Sequence, residues 1–218
     1  MDNFITYEYD YVIPSDLSSQ TILMIGRAND KMKRFDLGVK AMKYIVKELP
    51  KSKMKIIANI SDIGYLKNLV NCLQIKENVI FIEYSANPEI YFKNSSLHIF
   101  PSISESFGLV LSETKIFGIP TILLGLDYIS LAFGGTIIIY DNNPKSIAKE
   151  SIKILKDKKY RKKLGKKARK SMRRFKNELL LKKWIKLILS IYKGDNYFKN
   201  MIEDKTQFYK KKYINFLF

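Results

Sequence analysis

The sequence predicts an α/β domain with a parallel β-sheet covered by helices on both faces. Three observations predict it. Six short, apolar, β-rich runs recur through the first two thirds of the chain. Longer segments with helical spacing separate most of them. The runs are continuously apolar rather than alternating with polar residues, as in strands buried on both faces. Right-handed crossovers between such strands give a Rossmann-like layered domain.

The expected strands are residues 21–25 (TILMI), 54–58 (MKIIA), 79–82 (VIFI), 97–100 (LHIF), 121–124 (TILL) and 136–140 (TIIIY). Helices are expected over residues 36–49, where Leu37, Ala41, Tyr44, Ile45 and Leu49 share a face, over 62–73 with Leu66, Leu69, Val70 and Leu73, and over 109–117. Residues 121–140 hold only Asp127 as a charge, but Gly125, Gly134 and Gly135 argue for two strands and a connecting turn rather than a membrane span. After Pro144 the pattern is helical throughout. One helix is expected over 145–155 and a very basic one over 157–175, interrupted at Gly165. A third is expected over 179–192, with an apolar stripe of Leu180, Trp184, Leu187, Ile188 and Ile191. The expected organisation is a lead-in over 1–20, a domain over 21–192 and a basic aromatic tail over 193–218.

The chain has 218 residues, of which 46% are apolar, enough for a packed interior rather than a disordered chain. The single cysteine, Cys72, excludes a disulfide scaffold and a cysteine-rich zinc site. The single histidine, His98, lies within the strand LHIF and reads as a packed core residue. The acidic start MDNFITYEYDYVIP lacks the basic and apolar regions of a leader, so a cytoplasmic protein is expected. The net charge of +18 is unevenly placed: residues 1–144 balance at −1 and residues 145–218 at +19. Any general attraction to polyanions therefore belongs to the C-terminal third.

Chemistry is expected where the chain leaves the carboxyl edge of the sheet, the ligand edge of an open α/β fold. The segment PSISESFGLVLSETKIFGIP leaves the strand LHIF there. Ser106 reads as an N-cap, and Phe107, Gly108 and Leu109 open a helix whose N-terminus suits a phosphate. Gly108 permits close approach of a ligand to the backbone. Glu105 precedes that helix and Glu113 lies one turn inside it, so the two can face one crevice from its rim and its floor. Arg27 and Lys33 follow the first strand and are expected over the same crevice, where two cations would neutralise a diphosphate. Asp127 and Tyr128 follow another strand and are weaker candidates for its lining. No Asp-x-Asp is present, and no metal site is expected.

These residues in this order resemble the C-terminal, nucleotide-sugar-binding half of a GT-B retaining glycosyltransferase of family 4. The likeness rests on Gly26-Arg27, Lys33, the Asn78 to Phe81 strand, Pro-Ser followed by Glu-Ser-Phe-Gly-Leu and Glu113, and Gly118-Ile119-Pro120, and it covers about residues 20–192. It implies metal-independent transfer of a sugar from a UDP- or GDP-linked donor to a glycan or lipid acceptor, with no other cofactor. It further implies that Arg27 and Lys33 hold the diphosphate, Glu105 lies against the sugar, Glu113 accepts from the ribose, and backbone N–H groups around Phe107, Gly108 and Leu109 meet sugar and phosphates. The chain departs from the family at Ala58-Asn59-Ile60-Ser61 and Gly125-Leu126-Asp127-Tyr128, where glycines are usual. The acceptor-binding N-terminal half has no counterpart in these residues, so a fragment, a split subunit with a partner chain, or a degenerate remnant is expected. The rival reading is a non-catalytic nucleotide-sugar- or polyanion-binding module. Lysines interleaved with Tyr192, Tyr197, Phe198, Phe208, Tyr209 and Tyr213 fit a peripheral anionic membrane better than RNA, for which no recognition motif is visible.

Overall fold

Six parallel strands form one sheet in the order β3-β2-β1-β4-β5-β6 in this computed structural model, which describes residues 4–193 apart from 60, 62, 85, 86 and 128. The strands are β1 Thr21–Ile25, β2 Lys53–Ala58, β3 Val79–Glu83, β4 Leu97–Phe100, β5 Thr121–Leu124 and β6 Thr136–Ile139. They match the six expected runs to within a residue at either end. The helices are α1 Phe35–Glu48, α2 Gly64–Cys72, α3 Glu89–Lys93, α4 Leu109–Ile116, α5 Pro144–Lys156, α6 Lys158–Ser171 and α7 Asn177–Lys193, with a 3₁₀ turn at Met172–Phe175 between the last two. The short α3 has no counterpart in the sequence expectation. No helix among the described residues is long and apolar enough to cross a membrane.

Period-two geometry splits the core between the two faces of the sheet. Ile22 and Met24 of β1 turn to one face, with Ile56 and Ile99, and meet α1, α2 and α5 through Val39, Ile45, Leu66 and Ile154. Leu23 and Ile25 turn to the other, with Ile57, Phe100 and Leu123, and meet Leu111, Phe117, Met172 and Phe175. Burial on both sides is why every residue of β4 and β5 is sequestered.

Two expectations need correction. Gly165 does not interrupt α6, which runs unbroken from Lys158 to Ser171. A Cβ at Gly165 would lie 2.4 Å from Gly118 O and 2.6 Å from Leu17 Cδ1, so glycine serves close packing here rather than a break. The stripe expected on the last helix is also divided. Leu180 and Leu187 are buried and Trp184 partly so, but Ile188 and Ile191 face outward.

The lead-in is strapped to the second face rather than trailing from it. Arg169 donates to the carbonyls of Tyr9, Val12 and Ile116 at 2.7–2.9 Å, and its guanidinium lies over the Tyr9 ring. Lys176 pairs with Asp10 at 2.7 Å. Tyr7 sets its ring edge-on to Phe92 and Phe117. The C-terminal tail expectation falls on residues 194–218, outside the described residues apart from Lys193.

Candidate active site

The strand order reverses its direction of growth between β1 and β4, which are hydrogen-bonded neighbours. At such a switch point the loops leaving the two carboxyl ends diverge to opposite faces and open a crevice. A crevice of about 720 Å³ lies there, and Arg27, Lys33, Glu105, Phe107, Gly108 and Leu109 all line it. The sequence argument placed these six together, and the fold brings them together.

The two walls are joined by the residues that line them. Asp30 caps the 3₁₀ turn Lys31–Lys33 by accepting from Met32 N, and it holds Arg27 at 3.1 Å. Arg27 is otherwise extended toward solvent at the mouth, 77% exposed. Ile103 N donates to Met32 O at 2.9 Å, which stitches the loop after β4 to the loop after β1. Lys33 Nζ completes the junction by donating to Glu105 Oε1 at 2.5 Å. Their side chains are only 18% and 12% exposed, so this pair is less screened than a surface ion pair.

Helix α4 starts with Gly108 as its N-cap, at φ +84, and no side chain caps it. The expectation that Ser106 is the cap is therefore corrected; Ser106 lines the crevice instead. A left-handed residue costs glycine little and other residues roughly 1–2 kcal/mol, which explains glycine here. The first N–H groups of a helix have no intrahelical acceptor, and those of α4 begin beside the crevice. Phe107 anchors this turn by packing edge-on to Phe175, at 5.8 Å between ring centroids. Behind the turn, Lys115 of α4 is fully buried and donates to Leu131 O and Phe133 O, both at 2.6 Å. Burial, with Arg174 nearby as the second cause, lowers the Lys115 pKa to about 7. Ile129, in the segment thus held, would lie 3.6 Å from a Cβ on Gly108.

Glu113 is placed differently from the other expected site residues. It is not among the crevice lining, and its Oε1 accepts from Thr6 Oγ1 of the lead-in at 2.8 Å. It stands one turn after Leu109, on the same side of α4. Burial raises its pKa above the ordinary carboxylate value, and the Thr6 bond opposes the shift. Asp127 is likewise outside the lining, and Tyr128 lies outside the described residues. Asn59, Glu83 and Tyr84 do line the crevice. They were not expected as site residues, although Asn59 and Tyr84 follow the carboxyl ends of β2 and β3 and Glu83 is the last residue of β3. The rule that located Arg27 would have located them. His98 is fully buried, with Thr114 Oγ1 2.9 Å from its Nδ1, and burial pulls its pKa down to about 3. It is a neutral core residue. Among the described residues no group of three or more His, Cys, Asp or Glu side chains is placed to hold a metal ion.

Comparison with known proteins identifies the family and the fold. The sequence profile of the family "Glycosyl transferases group 1" matches residues 9–171. The chain belongs to that family. It is 32% identical over 106 residues to an uncharacterized glycosyltransferase of Haemophilus influenzae, covering 49% of this chain and 30% of that protein. It is 27% identical over 169 residues to the N-acetyl-alpha-D-glucosaminyl L-malate synthase of Bacillus anthracis, covering 76% of this chain and 44% of that protein. The chain thus spans less than half the length of these relatives. Its fold is similar to that of Anabaena HepE in a crystal structure with UDP, with a TM-score of 0.73 and 15% identity over 84% of this chain and 56% of the other.

Proposed function

We propose that the chain is the donor-binding, C-terminal half of a GT-B glycosyltransferase of family 4. It would transfer a sugar from a UDP- or GDP-linked donor to a glycan or lipid hydroxyl, with retention and without a metal. The observation that carries this reading is the convergence of Arg27, Lys33, Glu105 and the α4 N-terminus on one crevice at the switch point. Two cations and a helix N-terminus suit a departing diphosphate, whose charge grows as the bond to the sugar breaks. Glu105 suits a sugar hydroxyl on the other side of that bond. Glu113 is assigned to the ribose, which requires Thr6 to give up its place on the carboxylate.

Asn59, Glu83 and Tyr84 close the crevice at its β2–β3 side, where the far end of a nucleotide would lie. The acceptor is assigned to a second half, in this or another chain. Holding the acceptor near attack is worth roughly 7–11 kcal/mol of barrier, so the 218 residues alone should bind donor well and transfer it slowly. Titration calorimetry with UDP and with GDP, each with and without EDTA, tests the binding claim. The reading expects saturable binding of at least one nucleotide, unchanged by chelation. Binding that disappears with EDTA refutes the metal-free assignment, and no binding of either nucleotide refutes the site. Rapid sugar transfer by the 218-residue chain alone refutes the need for a second half.

A further inference from the structure

Lys115 stands one helical turn past Leu111 in α4, fully buried behind the donor crevice and outside its lining. The oxygens that its Nζ meets are neutral: Leu131 O and Phe133 O at 2.6 Å and Thr136 Oγ1 at 3.4 Å. A second cation, Arg174, donates to Ser130 O from the 3₁₀ turn before α7. Three main-chain carbonyls between β5 and β6 are thus held by two side chains from outside that segment. Burying an ammonium against neutral oxygens is costly, and a methionine would fill the same space without that cost. What the lysine adds is its grip on the carbonyls. The gripped segment reaches the site. Ile129, Leu131 and Ala132 are buried in the same core as Phe107 and Leu111. Ile129 Cδ1 would lie 3.6 Å from a Cβ on Gly108. Ala132 N donates to Ile129 O at 3.0 Å, which ties Ile129 to the gripped carbonyls.

We propose that Lys115 is a positioning residue: by holding the 130–133 segment it seats Ile129 against Gly108 and fixes the direction of the N–H groups that open α4. Its bearing on donor affinity rests on the donor reading above; its hold on α4 does not. Charge decides when the grip breaks most easily. Burial, with Arg174 as the second cause, lowers the Lys115 pKa to about 7. Once the segment opens, the amine meets water and titrates as an ordinary lysine, at about 10.4. The opened state holds the extra proton between those values, so protection by the closed state rises with pH above about 7, by at most about tenfold per unit. Ionisable neighbours of this part of α4 are Arg174, Arg169 of α6, which donates to Ile116 O, His98 of β4, which meets Thr114, and Glu113. Arginine keeps its charge throughout this range. His98 is already neutral there, with its pKa down at about 3. Comparison with K115M cancels whatever Glu113 contributes.

The experiment is hydrogen–deuterium exchange of the full unliganded chain, wild type and K115M, from pH 6.5 to 9, with each rate divided by its intrinsic rate. Peptides covering 106–116, where Ser112 N donates to Gly108 O, and 126–136 report on the seat, and a peptide from α1 is the control. Exchange in both reporter peptides should be at least fivefold faster in K115M at pH 8, with α1 unchanged. In the wild type, protection of both relative to α1 should rise at least fivefold from pH 7 to 9, and in K115M it should not. UDP should bind K115M at least threefold more weakly than the wild type. Acceleration confined to 126–136 would make Lys115 a local strut with no hold on α4 and overturn the proposal. So would equal exchange in wild type and K115M, or wild-type protection that ignores pH. If K115M fails to fold, the wild-type pH profile alone decides. Faster exchange with unchanged UDP affinity would refute the bearing on the donor. If the wild type binds no UDP, the donor reading falls, and the exchange results still uphold or refute the hold on α4.

Discussion

Lys33 is held by Glu105 in the unliganded crevice, so a diphosphate entering it competes with a carboxylate for the same ammonium. Two opposite effects follow from substituting the two partners. In K33A the ligand loses a charge-assisted contact, worth roughly 1.5–3 kcal/mol, and meets a Glu105 that no longer has Lys33 as its partner. UDP affinity should fall about 10- to 150-fold. In E105Q the competitor becomes neutral while its size is kept. The pair is partly exposed, so releasing Lys33 should return no more than about 1 kcal/mol, near the upper end for screened pairs. UDP should bind up to about fivefold tighter, although E105Q removes a group assigned to the sugar. Calorimetry at 0.15 M salt on the wild type, both variants and the double variant would measure this. The double variant should bind UDP more weakly than the wild type but better than K33A, because it also removes the carboxylate charge that K33A leaves facing the diphosphate. K33A with wild-type affinity, or E105Q weakening UDP more than E113A does, would refute the arrangement.

Other predictions follow from the same geometry. E113A should weaken UDP by roughly 1.5–3 kcal/mol, the cost of a charge-assisted bond to the ribose. T6V should leave affinity equal or tighter by removing the hydroxyl that occupies Glu113; a large loss in T6V would show that the lead-in contributes to binding. His98 is neutral in the fold, with its pKa pulled down to about 3, whereas an unfolded histidine protonates near 6.5. The unfolded state then takes up the extra proton, so this contribution is complete above about pH 6.5 and is lost as pH falls toward 3, at up to about 1.4 kcal/mol per unit. Denaturant titrations of the wild type and H98Q between pH 7 and 4.5 should differ in slope by that amount, and parallel curves would count against it. G165A should lower stability by roughly 1–3 kcal/mol, because the methyl group would overlap Gly118 O and Leu17 and outweigh the gain in helix propensity. A raised melting temperature in G165A would show that the packing there is loose.

The sheet was legible because its signal is local: six apolar, β-rich runs can hardly be read otherwise between segments of helical period. The crevice was legible for a related reason. Once the strands are ordered, the residues after β1 and β4 must emerge together, and Arg27, Lys33, Glu105 and Gly108 are among the polar and glycine positions there. What escaped the sequence depends on distant partners. Gly165 reads as a helix breaker because glycine usually is one, and only the nearness of Gly118 and Leu17 explains it as packing. The strap of residues 4–15 is held by Arg169 and Lys176, some 160 positions away, and nothing in a local window shows that Thr6 would reach Glu113. Nothing local marks Lys115 for the interior; it is buried because two carbonyls of the 131–133 segment converge on its ammonium. On α7 the apolar period was visible, but period alone does not say which face meets the core.

The measurement that bears most directly on the central claim is a crystal structure of the chain soaked with UDP. The account predicts the diphosphate in the switch-point crevice, within hydrogen-bond distance of Lys33 or Arg27 and of the N–H groups that open α4 after Gly108, with the ribose turned toward Glu113. UDP seated anywhere else, or a crevice in which Lys33 still holds Glu105 and no diphosphate lies beside Gly108, would contradict it.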